Sequence, residues 1–339
     1  MELSRLGRSS GKKSGRRRIQ SPLRRYFQPR LPGIACEISR QHFSVVRLDQ
    51  RRSRQVDGFA VENIPQGLVE PSLTEPIVRS VEELAKVIKA TLIKAGAGTN
   101  RISLAIPDAC ARVAIHSFET LPSKREEKTE LLKWKLKKTI PYDIDDSHLS
   151  FVEQKTEAGK TYVITANIHG EVLAQLEQIF ESLGIHVGFV TLSSFAAYEL
   201  LVRQHQDEIR KSVLFMRVRA SNISSLIVQQ EVVVFYRHTD YNFESPMDLM
   251  VNWSADPYEE IHPCLMYYQD KLGAAGVDTI HLSFPRDFTE AELSSLTERT
   301  GASVSNFDAS RMVQWNRTVP SNLVHHILAP ALGLALGKF

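Results

Sequence analysis

Residues 121–142 read LPSKREEKTELLKWKLKKTIPY, a charged segment between two prolines with one tryptophan inside it. Leu132, Leu136 and Ile140 stand four apart, the spacing of neighbours on one face of an α-helix. Ser123 and Glu126 have the separation of a capping box. Pro141 stops the run, because proline lacks the N–H a helix interior needs and clashes with the preceding turn. The stretch therefore predicts a helix from about Ser123 to Ile140, with Trp134 between Lys133 and Lys135 and Tyr142 just past the stop. Its charges turn basic toward the end, which favours the helix dipole and needs no functional cause.

Toward the N-terminus the period changes to two. Ile102, Leu104 and Ile106 alternate as a strand, Pro107-Asp108 makes a turn, and a second run passes through Val113 and Ile115 to Phe118. Ser80 to Ala95 predicts a helix, capped by Ser80 with Glu83 and ended by Gly96. Ile34, Cys36 and Ile38, then Phe43, Val45 and Arg47, predict a strand pair. Toward the C-terminus a strand (Tyr162–Ala166), a helix (Glu171–Leu183) and a strand (Val187–Val190) precede a helix over Phe195–Leu201. Three apolar runs follow, Val213–Val218, Ile223–Val228 and Val232–Tyr236. Asp256, Pro257 and Glu259 start a helix to about Leu272; Thr279–Phe284 is a strand; Thr289 with Glu292 opens another helix; and Ser321–Leu336 is an apolar helix containing Pro330. Alternation of this kind predicts an α/β class with mixed sheets.

The 339 residues suffice for two cores, and no apolar run approaches the roughly 20 residues that span a bilayer. Nor does the N-terminus carry the apolar stretch of an export signal. Cys36, Cys110 and Cys264 are odd in number and widely spaced, which predicts neither a disulfide framework nor a zinc finger and fits a reducing cytoplasm. The net charge of +3 hides an asymmetry. Residues 1–30 carry a run of basic residues, among them Arg16, Arg17, Arg18, Arg24 and Arg25, opposed only by Glu2, so the remainder is mildly acidic. Such a segment has too little apolar surface to offset its ordering entropy and reads as a disordered basic arm. Attraction to an anionic membrane surface, at about 1 kcal/mol per basic residue, competes there with a merely solubilising role. Nucleic-acid binding has thin support, since only Tyr26 and Phe27 could stack on bases.

Four segments, in order, resemble the type IV pilus assembly protein PilM family, part of the actin-like superfamily with the division protein FtsA. They are Leu121–Tyr142 with its central Trp134; Arg101–Pro107; Tyr162 through Gly184 to Phe195-Ala196; and Pro330–Leu336. The resemblance implies an α/β actin-like fold, with ribonuclease H-like duplicated lobes and an FtsA-like inserted subdomain. On that reading residues 1–30 are the arm and 31–211 the first lobe, with the insertion around 111–187. Residues 212–320 then form the second lobe, and 321–339 a C-terminal helix packing back on the core.

Members of that family bind ATP between the lobes, and the motif positions are altered here. Where an acid and a glycine should hold the metal and admit the phosphates, this chain has Glu37 and Ser39, followed by bulky Arg40, Gln41 and His42. The second motif falls on Arg217-Val218-Arg219-Ala220-Ser221, with Arg217 for the acid and Arg219 for the glycine. Arginine cannot ligate a cation, and its Cβ obstructs the backbone approach glycine permits. The adenosine-side Gly-Gly falls on His281–Pro285, where no glycine remains. The expectation is therefore no Mg-ATP cofactor, no metal and no enzymatic activity, with Arg217 and Arg219 either ion-paired to Glu37 or holding an anion.

The resemblance further implies a cytoplasmic scaffold peripheral to the inner membrane. It would bind the cytoplasmic tail of a PilN-like bitopic membrane protein in a groove beside the insertion, and would connect to pilus motor ATPases. Trp134 and Tyr142 are the candidate aromatic anchors and Lys133 and Lys135 the rim charges. The alternatives are an ATP-binding or hydrolysing switch of the same machinery, or a component of a related type II secretion system. Other groupings carry no signal: His262-Pro263-Cys264 and His325-His326 lack completing ligands at metal spacing, and Ser193-Ser194 lacks elbow glycines.

Overall fold

The first sheet is built from β1 (Ile34–Ile38), β2 (His42–Leu48), β3 (Gln55–Asn63) and, after helix α1 (Val81–Lys94), β4 (Arg101–Ile106). The computed structural model describes residues 32–49, 55–156, 159–219, 221–241, 256–316, 318–319 and 322–337. The basic arm, with Arg16, Arg17, Arg18, Arg24 and Arg25, lies outside them, as does Ala220. Helix α1 forms where the sequence predicts it: Ser80 Oγ accepts from the Glu83 N–H, and Leu84, Ile88 and Leu92 bury one face against the sheet. Each such side chain contributes about 1.5–3 kcal/mol on burial. β3 was not predicted, because Gly58 interrupts its pattern. The glycine is needed because a Cβ there would stand 2.1 Å from the Ala95 carbonyl oxygen at the end of α1.

The chain then leaves this sheet. β5 (Ala111–Phe118), helix α2 (Arg125–Leu136), β6 (Ser147–Lys155) and β7 (Thr161–His169) form a separate antiparallel sheet of order β5-β7-β6. Along β7 every second residue from Thr161 to Asn167 is buried, as in a sheet with one packed face. Leu136, Ile140 and Ile144 make its small core. Two sequence expectations for α2 change. Lys124, not Ser123, stands at the cap and makes no side-chain bond there. The helix stops at Leu136 because the Thr139 N–H and hydroxyl both bond the Leu136 carbonyl, at 2.7 and 2.9 Å, and turn the chain before Pro141.

Helix α3 (Gly170–Ser182) returns to the first sheet and buries Val172, Leu176, Ile179 and Phe180 in its core. The insertion's own sheet thus occupies 111–169, while α3 and β8 (His186–Leu192), within the span expected for the insertion, pack with or complete the first sheet. Helix α4 (Ser193–Gln204) leads to the second sheet: β9 (Ser212–Val218), β10 (Asn222–Gln229), β11 (Val232–Asp240), helix α5 (Tyr258–Leu272), β12 (Thr279–Ser283), helix α6 (Glu290–Thr300) and β13 (Ser303–Asn306). Its order is β11-β10-β9-β12-β13, and the first sheet runs β3-β2-β1-β4-β8 with the short β14 (Gln314–Trp315) added at the β3 edge. Both sheets therefore repeat one plan, an antiparallel triplet followed by two parallel strands.

Helix α7 (Asn322–Leu336) packs on α4, β1 and β2, and its Leu328, Ala329 and Leu332 share a core with Val46, Leu200 and Phe215. The two helices cross closely enough that a Cβ on Gly333 would lie 1.8 Å from the Ala196 carbonyl oxygen. The insertion also touches the second sheet, where the Gln154 amide clamps the Val233 backbone by accepting from its N–H at 2.9 Å and donating to its carbonyl at 3.2 Å. That contact covers part of the exposed edge of β11. No described helix is long and apolar enough to cross a membrane.

Candidate functional site

The two first-strand hairpins, at Ser39–Gln41 and Arg219–Ser221, line one cleft with the Pro107-Asp108 turn and the start of α4. Ser39 does not open its turn to a ligand. Its hydroxyl donates to the His42 carbonyl and accepts from the His42 N–H, both at 3.0 Å, so the turn closes on itself. The Arg219 N–H bonds the Asn222 carbonyl at 2.8 Å, closing the other. Arg40 is turned to Glu70, 3.2 Å away, and Ser221 is buried.

Glu37 is 1% exposed and sits against both arginines. Arg219 forms a hydrogen-bonded ion pair with its Oε1, and Arg217 Nη2 lies 3.9 Å from the same oxygen. The Ser193 hydroxyl donates to it at 2.8 Å. Arg217, itself 2% exposed, also donates to the His326 carbonyl of α7 at 3.3 Å. Burial first and Arg219 second lower the Arg217 pKa to about 9, while Glu37 and Asp108 act against them, so the guanidinium stays charged at neutral pH. A buried charge is tolerated only when paired in this way. Burial, then Arg219, also pull His42 down to about 4.

Asp108 is a site residue that reads from sequence only as a turn. It is buried, and it accepts from the Ser194 N–H at 3.2 Å, the Ser194 hydroxyl at 2.6 Å and the Ser224 hydroxyl at 3.0 Å. Ser224 continues to His238 Nδ1 at 2.9 Å, and His238 Nε2 to Asp240 at 3.3 Å. The array brings together the residue types serine, histidine and aspartate. Burial opposes charge on His238, but the Asp240 bond and the charges of Asp108 and Asp240 prevail and raise its pKa. Ser224 gives its proton to Asp108, so that hydroxyl accepts from His238 Nδ1 rather than donating to it. The cavity lined by Ser39, Asp108, Ser193, Arg219 and Asp240 measures about 20 Å³, room for about one water molecule.

Away from the cleft, Trp134 is 68% exposed on α2, while Leu132 and Leu136 face the core. Tyr142 is held: its hydroxyl donates to Asn167 Oδ1 at 2.8 Å and its ring lies 4.9 Å from that of His169. Lys133 bonds Asp145 at 2.8 Å, and Lys135 Nζ stands 5.1 Å over the Phe118 ring. His281, in the stretch aligned with the adenosine-side motif, bonds Glu208 at 2.8 Å. Phe284 enters the second-sheet core.

No family model and no curated protein matches the sequence. Among solved structures, a chain of the PilM-PilN type IV pilus biogenesis complex superposes with a TM-score of 0.70 at 18% identity, covering 91% of this chain and 98% of that one. The chain has an actin-like fold. Fainter likenesses are a Bacteroides thetaiotaomicron protein with actin-like ATPase fold (TM-score 0.48, 12% identity, 83% and 91% covered) and the cytoplasmic domain of EpsL from the Vibrio cholerae type II secretion system (0.43, 10%, 87% and 94%). The two duplicated sheets of this fold meet at Glu37 on the first and Arg217 and Arg219 from the second.

Proposed function

We propose that this protein is a nucleotide-independent, non-catalytic scaffold of a type IV pilus assembly platform, working on the cytoplasmic side of the inner membrane. The observation that carries the reading is the pairing of Arg217 and Arg219 with Glu37 across the cleft. Two cationic side chains stand where a magnesium-bound triphosphate would need an acid and backbone N–H groups. The Glu37 carboxylate is already engaged by both and by Ser193, and that of Asp108 by Ser194 and Ser224. A cavity of about 20 Å³ compares with the several hundred Å³ that a cofactor-sized ligand fills. These residues do not fit a magnesium-bound nucleotide.

The partner of this reading is the cytoplasmic tail of a PilN-like bitopic membrane protein, by analogy with the complex whose chain this fold resembles. It would dock beside the insertion, with exposed Trp134 as its aromatic anchor. The basic arm would add attraction to the anionic membrane, two weak contacts retaining what neither holds alone. Pilus motor ATPases are further partners of this reading.

The test is titration of the purified protein with fluorescent ATP, with and without magnesium, alongside a synthetic peptide of the bitopic neighbour's cytoplasmic tail. Peptide binding without nucleotide binding supports the scaffold. Tight magnesium-dependent ATP binding overturns it in favour of a nucleotide switch.

A further inference from the structure

Outside the cleft, one cluster of metal-ligating side chains forms among the described residues: His205, Glu208 and His281, whose ligand atoms all lie within 4.8 Å of one another. Glu208 bonds both rings. One carboxylate oxygen is 2.8 Å from His205 Nδ1 and the other 2.8 Å from His281 Nε2. The ring centroids are 4.0 Å apart, so the two imidazoles lie against each other and present these nitrogens to the one carboxylate.

Each ligand is held by backbone that does not need the others. His205 and Glu208 share a helical turn just after α4, in which the Glu208 and Ile209 N–H groups bond the His205 carbonyl at 3.0 and 3.1 Å. His281 lies on β12, hydrogen-bonded between β9 and β13, with its side chain 3% exposed. Its second nitrogen, Nδ1, is 2.9 Å from Ser305 Oγ. Such an outer partner orients a ligating imidazole and fixes which nitrogen carries the proton. Glu208 is 39% and His205 19% exposed, which leaves one side open to water and to an entering ion.

We propose that His205 Nδ1, Glu208 and His281 Nε2 form a binding site for a divalent transition ion of the zinc class, with water as the fourth ligand. Two imidazoles and a carboxylate suit zinc, copper, nickel or cobalt, whereas magnesium and calcium require all-oxygen sets. Binding conserves the ring protons. The proton on His281 moves from Nε2 to Nδ1, where Ser305 changes from donor to acceptor, and that on His205 moves to its Nε2. The ion would fasten the α4–β9 connection, the passage from one sheet to the other, to the middle of the second sheet.

Full-length protein, dialysed against chelator, is titrated with zinc chloride by calorimetry. Cobalt(II) is used in parallel to read coordination by visible absorption. The expected result is one zinc per chain, a melting temperature that rises with zinc but not with magnesium, and a tetrahedral cobalt spectrum. Glu208→Gln and His205→Gln, both on the exposed side, should weaken binding by about 100-fold, and Ser305→Ala by about tenfold, each compared with its own metal-free melting temperature. Absence of binding in the wild-type chain overturns the site. So does binding of equal affinity in the Glu208→Gln and His205→Gln variants, which would place the ion elsewhere.

Discussion

Glu37 and Arg217 occupy the same station in the two halves of the molecule. Each is the penultimate residue of its sheet's first strand, each faces a buried serine on the second strand (Ser44 and Ser224), and the two meet 3.9 Å apart. The internal duplication thus places an acid and a base at matching positions, and their attraction joins the lobes where the fold brings them together.

Removing the acid takes from two neighbouring guanidinium groups the carboxylate that both contact, leaving Asp108 as the remaining counter-charge on Arg217. Glu37→Gln should cost about 3–5 kcal/mol in urea unfolding. Adding Arg217→Met to that variant should recover a large part of the loss, since it removes the more deeply buried of the two charges. Additive losses in the double mutant would show that the pair is not coupled.

The α4–α7 crossing should tolerate no side chain at its closest point. Gly333→Ala forces a Cβ against the Ala196 carbonyl and should destabilise by about 3 kcal/mol. Gly98→Ala meets nothing within 4 Å and serves as the control, with a change within roughly 0.5 kcal/mol.

Trp134 and Leu132 share a helix and should separate binding from stability. Trp134→Ala is expected to leave unfolding free energy within about 0.5 kcal/mol of wild type, yet to weaken tail-peptide binding at least about tenfold. Leu132→Ala, in the core, should cost roughly 2–5 kcal/mol. Unchanged peptide affinity in Trp134→Ala would remove it from the interface.

Acid should weaken the cleft through His42. Its folded pKa is lowered to about 4 against an ordinary 6.5, so between these values the unfolded chain binds more protons. The contribution is complete above pH 6.5 and is lost as pH falls toward 4, at up to about 1.4 kcal/mol per pH unit for one proton. His42→Gln should flatten the stability profile between pH 5 and 6.5, above the range in which ordinary carboxylates titrate, as read by urea midpoints across that range.

Much of this architecture is legible in local pattern. The alternating runs that became β1, β2 and β9–β11 have buried faces continuous enough to read, and the Thr289–Glu292 capping box forms as its spacing predicts. β6 escaped because none of its residues is fully buried, so no apolar alternation marks it. β14 has only two residues. The site was half legible. Glu37, Arg217 and Arg219 could be placed by their departure from a motif, but Asp108 acquires its role only through Ser194 and Ser224, far along the chain. His205 and Glu208 stand three apart in sequence, and their third companion lies 73 residues beyond Glu208, a separation only the second sheet closes.

The packing of α7 over β1 and β2, and of β14 beside β3, bears on how the chain is made. Synthesis delivers the strands of the first sheet early, yet the helix covering Val46 and Leu48 emerges from the ribosome only after the whole second sheet. The second sheet, contiguous from 212 to 306, has all its strands available before then. The half of the molecule translated first is thus the half completed last, and its bare apolar face must be shielded until residues 314–336 arrive.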